Sequence, residues 1–184
     1  MGIKEFKERT QEEYHSFKNN VIEYAELFGD IYNIILSPYF LIACVLGCAT
    51  VFLLKENYKW TEIAFMVLPS LLGFSIGGYA ILISFGDEGF RQFLASTYIS
   101  HQTSLFQIIN GVFLHFIVIQ VISVIFAALI YTISPASFFI NFIGCSFFYY
   151  ALSFCVAAAF EIKTVGKWYQ NYIDKLNKEK QNKA

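Results

Sequence analysis

Of the 184 residues, 57% are apolar, 19% aromatic and only 15% charged, where a soluble domain carries roughly a quarter charged residues. The formal net charge is −1, but 20 of the 27 charged residues lie in 1–30 and 161–184. The 130 residues between them are too apolar to be the inside of a small globule, so lipid must be part of their solvent.

Residues 1–33 are predicted as an amphipathic cytoplasmic helix. Ile3, Phe6, Thr10, Tyr14, Phe17, Val21, Tyr24, Phe28 and Ile31 recur at steps of three and four, the helical period. Glu5, Glu8, Glu12, Glu13 and Lys18 fall between them. Over residues 1–30, four basic residues stand against seven acidic ones, net −3. So charged a start does not read as a signal peptide.

Residues 34–160 are predicted as a four-helix transmembrane domain, within an all-α integral membrane fold. A bilayer core of about 30 Å needs ~20 apolar helical residues. Residues 34–54, 61–85, 105–130 and 136–160 qualify, with Glu62 at an entrance as their one charged residue. Backbone groups in hydrocarbon must be paired internally, so these spans are helices. They lack the alternation of barrel strands. Pro38 and Pro69 fall inside spans 1 and 2. The joints are 55–60, 86–104 and 131–135, with 86–104 the longest.

Span 2 carries Ser70, Gly73, Gly77, Ala80 and Ser84 along one face. Small residues let helix backbones approach closely in lipid, so this stripe is a candidate for helix packing or oligomerisation. Its partner is either a helix of the same chain or one of another subunit. Just past the span stand Asp87, Glu88 and Arg91. They read either as local caps and pairs or as a docking point.

Gln107, Asn110 and His115 lie in the first half of span 3, and Asn141 lies in span 4. Polar groups in a membrane face protein or water. Two readings stand: hydrogen bonds between spans, or a polar pathway with a switch at His115, whose ordinary pKa is near 6.5. Gln120 and Ser123 follow on a different face. Cys44, Cys48, Cys145 and Cys155 all lie within spans and read as packing residues.

Residues 161–184 form a basic C-terminal cytoplasmic helix, with Val165, Trp168, Tyr169, Tyr172 and Leu176 at helical spacing. Six lysines against three acids give it net +3. It either lies on anionic lipid or packs with the acidic N-terminal helix of its own or a neighbouring chain. Trp168 and Tyr172 join Asp87, Glu88 and Arg91 as candidate docking residues. Eleven positive residues fall on the side of the termini and the 86–104 loop; Lys55 and Lys59 fall on the other. The positive-inside rule then places both termini in the cytoplasm, in a multi-pass protein of the inner membrane.

No paired-carboxylate site, HExxH, P-loop or dinucleotide fingerprint is present. His115 and Ser123 are eight residues apart on one helix, about 12 Å of rise, too far for a nucleophile and its base. No enzyme activity, cofactor or metal site is expected. Neither is direct nucleic-acid binding.

The segment SLLGFSIGGYAILISFGDEGFR, residues 70–91, looks like a recurring stretch of small bacterial membrane proteins. The whole layout resembles the membrane subunit of the Kiwa anti-phage system. That resemblance rests on architecture. It implies four spans, cytoplasmic ends, an oligomer and a soluble DNA-binding companion, and it carries over no functional residue. The expected function is a non-enzymatic, homo-oligomeric membrane subunit that recruits or regulates a cytoplasmic protein, as a sensor or anchor in anti-phage defence. The alternative is a small ion channel or pore-forming effector gated by its cytoplasmic helices. A third is a small lipid- or solute-handling enzyme.

Overall fold

The computed structural model describes residues 3–28, 34–54, 60–98, 103–133 and 137–182. Among them run six helices: α1 (Ile3–Phe28), α2 (Pro38–Leu54), α3 (Trp60–Ser84), α4 (Glu88–Ser96), α5 (Leu105–Ile133) and α6 (Phe138–Gln181). By length and composition, α3, α5 and α6 are able to cross a membrane. α2 is equally apolar but has 17 residues, about 25 Å of rise, the lower edge of what spans a bilayer. Ile31, residues 55–59 of the first joint and residues 134–135 of the last lie outside the described residues.

Local chemistry explains where the helices start. Ser37 caps α2 by accepting a hydrogen bond from the Phe40 N–H at 3.2 Å. Pro38 then sits at the first helical position, where its missing N–H costs nothing. Pro38 therefore opens α2 without kinking it. Pro69 does lie inside α3. The 86–104 connection is not a plain loop. Gly86 turns the chain at φ +81°, and Asp87 accepts from the Phe90 N–H at 2.8 Å. α4 follows, with Phe90, Phe93 and Leu94 turned inward.

The span predicted over 136–160 and the helix predicted over 161–184 share one continuous helix. α6 runs unbroken for 44 residues, about 66 Å, roughly twice the hydrocarbon thickness. The crossing 157–163, AAAFEIK, is rich in good helix formers and contains no proline, so nothing stops the hydrogen-bond ladder.

α6 is the centre of the packing, since α2, α3, α4 and α5 all rest on it. The tightest approach is α2 on α6. A Cβ built on Gly47 would lie 2.9 Å from the Ser146 backbone nitrogen and 3.0 Å from its Cα. Ala43, one turn earlier, is also buried. Two residues before Ser146 on α6, Gly144 leaves room for Trp60 and Ile130.

The span 2 stripe behaves differently. Ser70, Gly73, Gly77, Ala80 and Ser84 are all exposed, and nothing lies within 4 Å of a Cβ built on Gly73 or Gly77. Among the described residues, no helix of the same chain packs there. Nor, among the described residues, do the two end helices of the chain meet. α1 rests on α5, and α4 is the short helix that packs on α6. Replacing Gly47 with leucine is expected to cost about 1–3 kcal/mol by overpacking, while Gly73→Leu leaves the isolated fold intact. Thermal unfolding of the detergent-solubilised monomer compares the two.

Candidate functional site

The polar residues of α5 are positioned from its first turn. Ser104 and Gln107 form a capping box. The Ser104 N–H donates to Gln107 Oε1 at 2.9 Å, and the Gln107 N–H donates to Ser104 Oγ at 3.3 Å. This satisfies two donors that a helix start leaves open. Gln107 is thus a structural cap, exposed at the helix entrance, and lies apart from the polar groups further along α5.

Two turns on, His115 is buried and joins three helices. Its Nδ1 lies 2.6 Å from the Tyr24 hydroxyl of α1. Its Nε2 lies 3.2 Å from the Tyr150 hydroxyl of α6. A neutral imidazole donates from one nitrogen and accepts at the other, so two hydroxyls complement either tautomer. Phe154 meets the ring edge-on at 5.2 Å between centroids. Tyr150 also meets Phe40 of α2 edge-on at 5.3 Å between centroids. One chain of polar groups therefore links α1, α5 and α6.

Tyr24 sits on α1, whose other stripe residues Phe6, Tyr14, Phe17 and Val21 are exposed. Burial pushes the Tyr24 hydroxyl up to about 12, with a smaller contribution from Tyr150. It therefore stays protonated, and able to donate, throughout the neutral range.

The other candidate polar residues are engaged separately. Asn110 Oδ1 accepts from the Tyr79 hydroxyl at 2.9 Å. Asn141 Oδ1 accepts from Trp60 Nε1 at 3.2 Å, at the far end of the bundle. Gln120 donates to Ser75 Oγ at 3.0 Å, leaving its buried Oε1 without a partner. Ser123 donates to the Phe147 carbonyl at 2.9 Å, so it is held by α6 and not by His115. These are hydrogen bonds between helices, worth about 0.6 kcal/mol each inside a membrane. Asn110, His115 and Asn141 are not brought together into one pathway.

The candidate docking residues divide likewise. Asp87 is spent as the α4 cap. Tyr172 covers Gly89, where a Cβ would meet its hydroxyl, and packs on Phe90 and Phe93 at 5.7 and 5.6 Å. Trp168 is half-buried against the same core. Glu88 and Arg91 remain exposed. Arg91 borders a cavity with Leu82, Phe85, Leu94 and Phe106, among others, of only ≈ 10 Å³, about the room one water needs. Among the described residues, no group of three His, Cys, Asp or Glu is placed to hold a metal ion.

The residue that sequence reasoning under-read is Tyr24. It was visible only as one member of a helical stripe, and its partner lies 91 positions away. Tyr24→Phe removes the hydrogen bond to the buried His115 Nδ1, a cost of about 0.5–1.5 kcal/mol. α1 should become cleavable by added protease in membranes while the spans stay protected. The pH dependence has one sign. A hydroxyl raised from 10 to about 12 contributes fully below pH 10 and loses its contribution as pH rises through 12. Protection of α1 should therefore hold up to pH 10 and fall beyond it. No protein-family model, curated protein or solved structure matches this chain.

Proposed function

We propose that the chain is a non-enzymatic subunit of the inner membrane that crosses it four times, with α2 as the fourth span and both termini cytoplasmic. It works as a homo-oligomer that recruits or regulates a cytoplasmic protein. The observation that carries this reading is the Tyr24–His115 hydrogen bond. It ties an otherwise exposed helix to a buried group of a spanning helix, so an event on α1 reaches the bundle. The charge asymmetry of the chain supports the orientation. The open small-residue face of α3 supports the oligomer, because a close-approach surface gains dispersion contacts only when a second helix covers it. A membrane sensor or anchor in anti-phage defence, the role that the Kiwa resemblance implies, is the narrowest form of the proposal.

The test is made on the full chain in native membranes. Chemical cross-linking should give oligomers. Gly77→Ile, placed where the monomer has open space, should reduce them at least tenfold without lowering the monomer's melting temperature. Unchanged oligomers would remove the α3 face from the proposal. A partner specific for α1 should be retained by the wild type and lost when Phe6 and Phe17 are both changed to serine. Ion flux in proteoliposomes abolished by Asn110→Leu or His115→Leu would replace the proposal with the channel reading.

A further inference from the structure

The two ends of the chain carry opposite charge, yet among the described residues they do not meet. α1 belongs to a segment of net −3, and the last part of α6 to one of net +3. Each is already held on one side by its own bundle. α1 is held through Tyr24 on α5, and the end of α6 through Val165 and Tyr172 on the core. The charged sides face away from those contacts. Glu12 and Glu23 are eleven residues apart, three turns, and share a side of α1. Tyr24, the residue that holds α1, is twelve residues from Glu12, about 120° round the helix, and so lies on a different side. On α6, Lys163 and Lys167 share a side, and Tyr172, nine residues from Lys163, lies opposite. Lys178 extends that basic side, which Asp174 interrupts. Glu12, Glu23, Lys163, Lys167 and Lys178 are all exposed, and among the described residues none of these three lysines forms an ion pair.

We infer that the acidic side of α1 in one copy docks on the lysine side of α6 in the next copy; this rests on the oligomer proposed above. The surface on each copy differs from the surface it meets, so the contact is made twice, reciprocally, in a two-fold dimer, or once per neighbour around a ring. Single exposed ion pairs contribute little. Here several act together between helices that the membrane already holds near one another, which raises their effective concentration. Phe6, Tyr14, Phe17 and Val21, exposed on the apolar stripe of α1, take no part in this contact.

Two differently tagged full-length copies, with the four native cysteines changed to alanine, are co-expressed in membranes. One carries Glu12→Cys and the other Lys167→Cys. A short bis-maleimide should join the two tags. Glu23→Lys on the first copy should lower the yield at least tenfold, and Lys163→Glu on the second should restore it. High salt should weaken joining in the charge-matched pair. A higher yield between two Glu12→Cys copies than between the unlike pair would overturn the contact. Oligomers that persist with no Glu12–Lys167 adduct would overturn it while leaving the proposed oligomer standing. A monomer in membranes would remove both.

Discussion

Peptide groups that enter lipid must find their hydrogen-bond partners within the chain, and this protein meets that constraint around a single long helix. α6 keeps its ladder unbroken over 44 residues, and every other described helix except α1 packs on it. The other features follow from that. α2 lies close because Gly47 lets it reach the backbone at Ser146. α4 has somewhere to rest because α6 continues past the apolar segment. His115 has its second partner because Tyr150 projects from the same rod. With little hydrophobic drive between helices in lipid, close packing and hydrogen bonds between helices hold the bundle. The recorded pairs are of that kind, Tyr79–Asn110, Trp60–Asn141 and Gln120–Ser75.

Much of this architecture is legible in the sequence. Apolar runs long enough to cross lipid mark α3, α5 and the first part of α6, with boundaries within a few residues. Other parts are hidden for physical reasons. α4 is only nine residues long, and its apolar positions sit among Gly, Glu, Arg and Gln, so it reads as loop until Asp87 is seen as a cap. The continuity of α6 is hidden because composition changes at residue 161 while helix propensity does not. The most instructive case concerns the glycines. Gly73 and Gly77 have the conspicuous spacing, yet within the chain they face open space. Gly47, paired with Ala43 in an ordinary-looking run, makes the close approach. Spacing identifies a surface that permits contact; which surface is used depends on the shape of the partner.

Of the candidate site, the polar residues were identifiable but their grouping was not. Gln107, Asn110, His115 and Asn141 look like one series along the spans. In the fold, Gln107 closes a helix start, Asn110 and Asn141 pair with aromatic side chains at different levels, and His115 takes two tyrosines. Asp87 and Tyr172 likewise serve the packing of α4, leaving Glu88 and Arg91 exposed. A linear sequence contains no record of which distant hydroxyl will reach an imidazole, so Tyr24 was indistinguishable from its neighbours on the stripe.

The unbroken course of α6 has a mechanical consequence. A helix has no soft joint unless proline, a glycine pair or a π-bulge supplies one. The part that leaves the apolar segment and the part inside it therefore behave as one stiff lever. A sideways load near Lys178 becomes a tilt of the whole shaft, with its fulcrum where α4 and α5 grip it. That tilt moves Tyr150 and Ser146 together. It presses on the α2 contact and on the histidine in a single stroke.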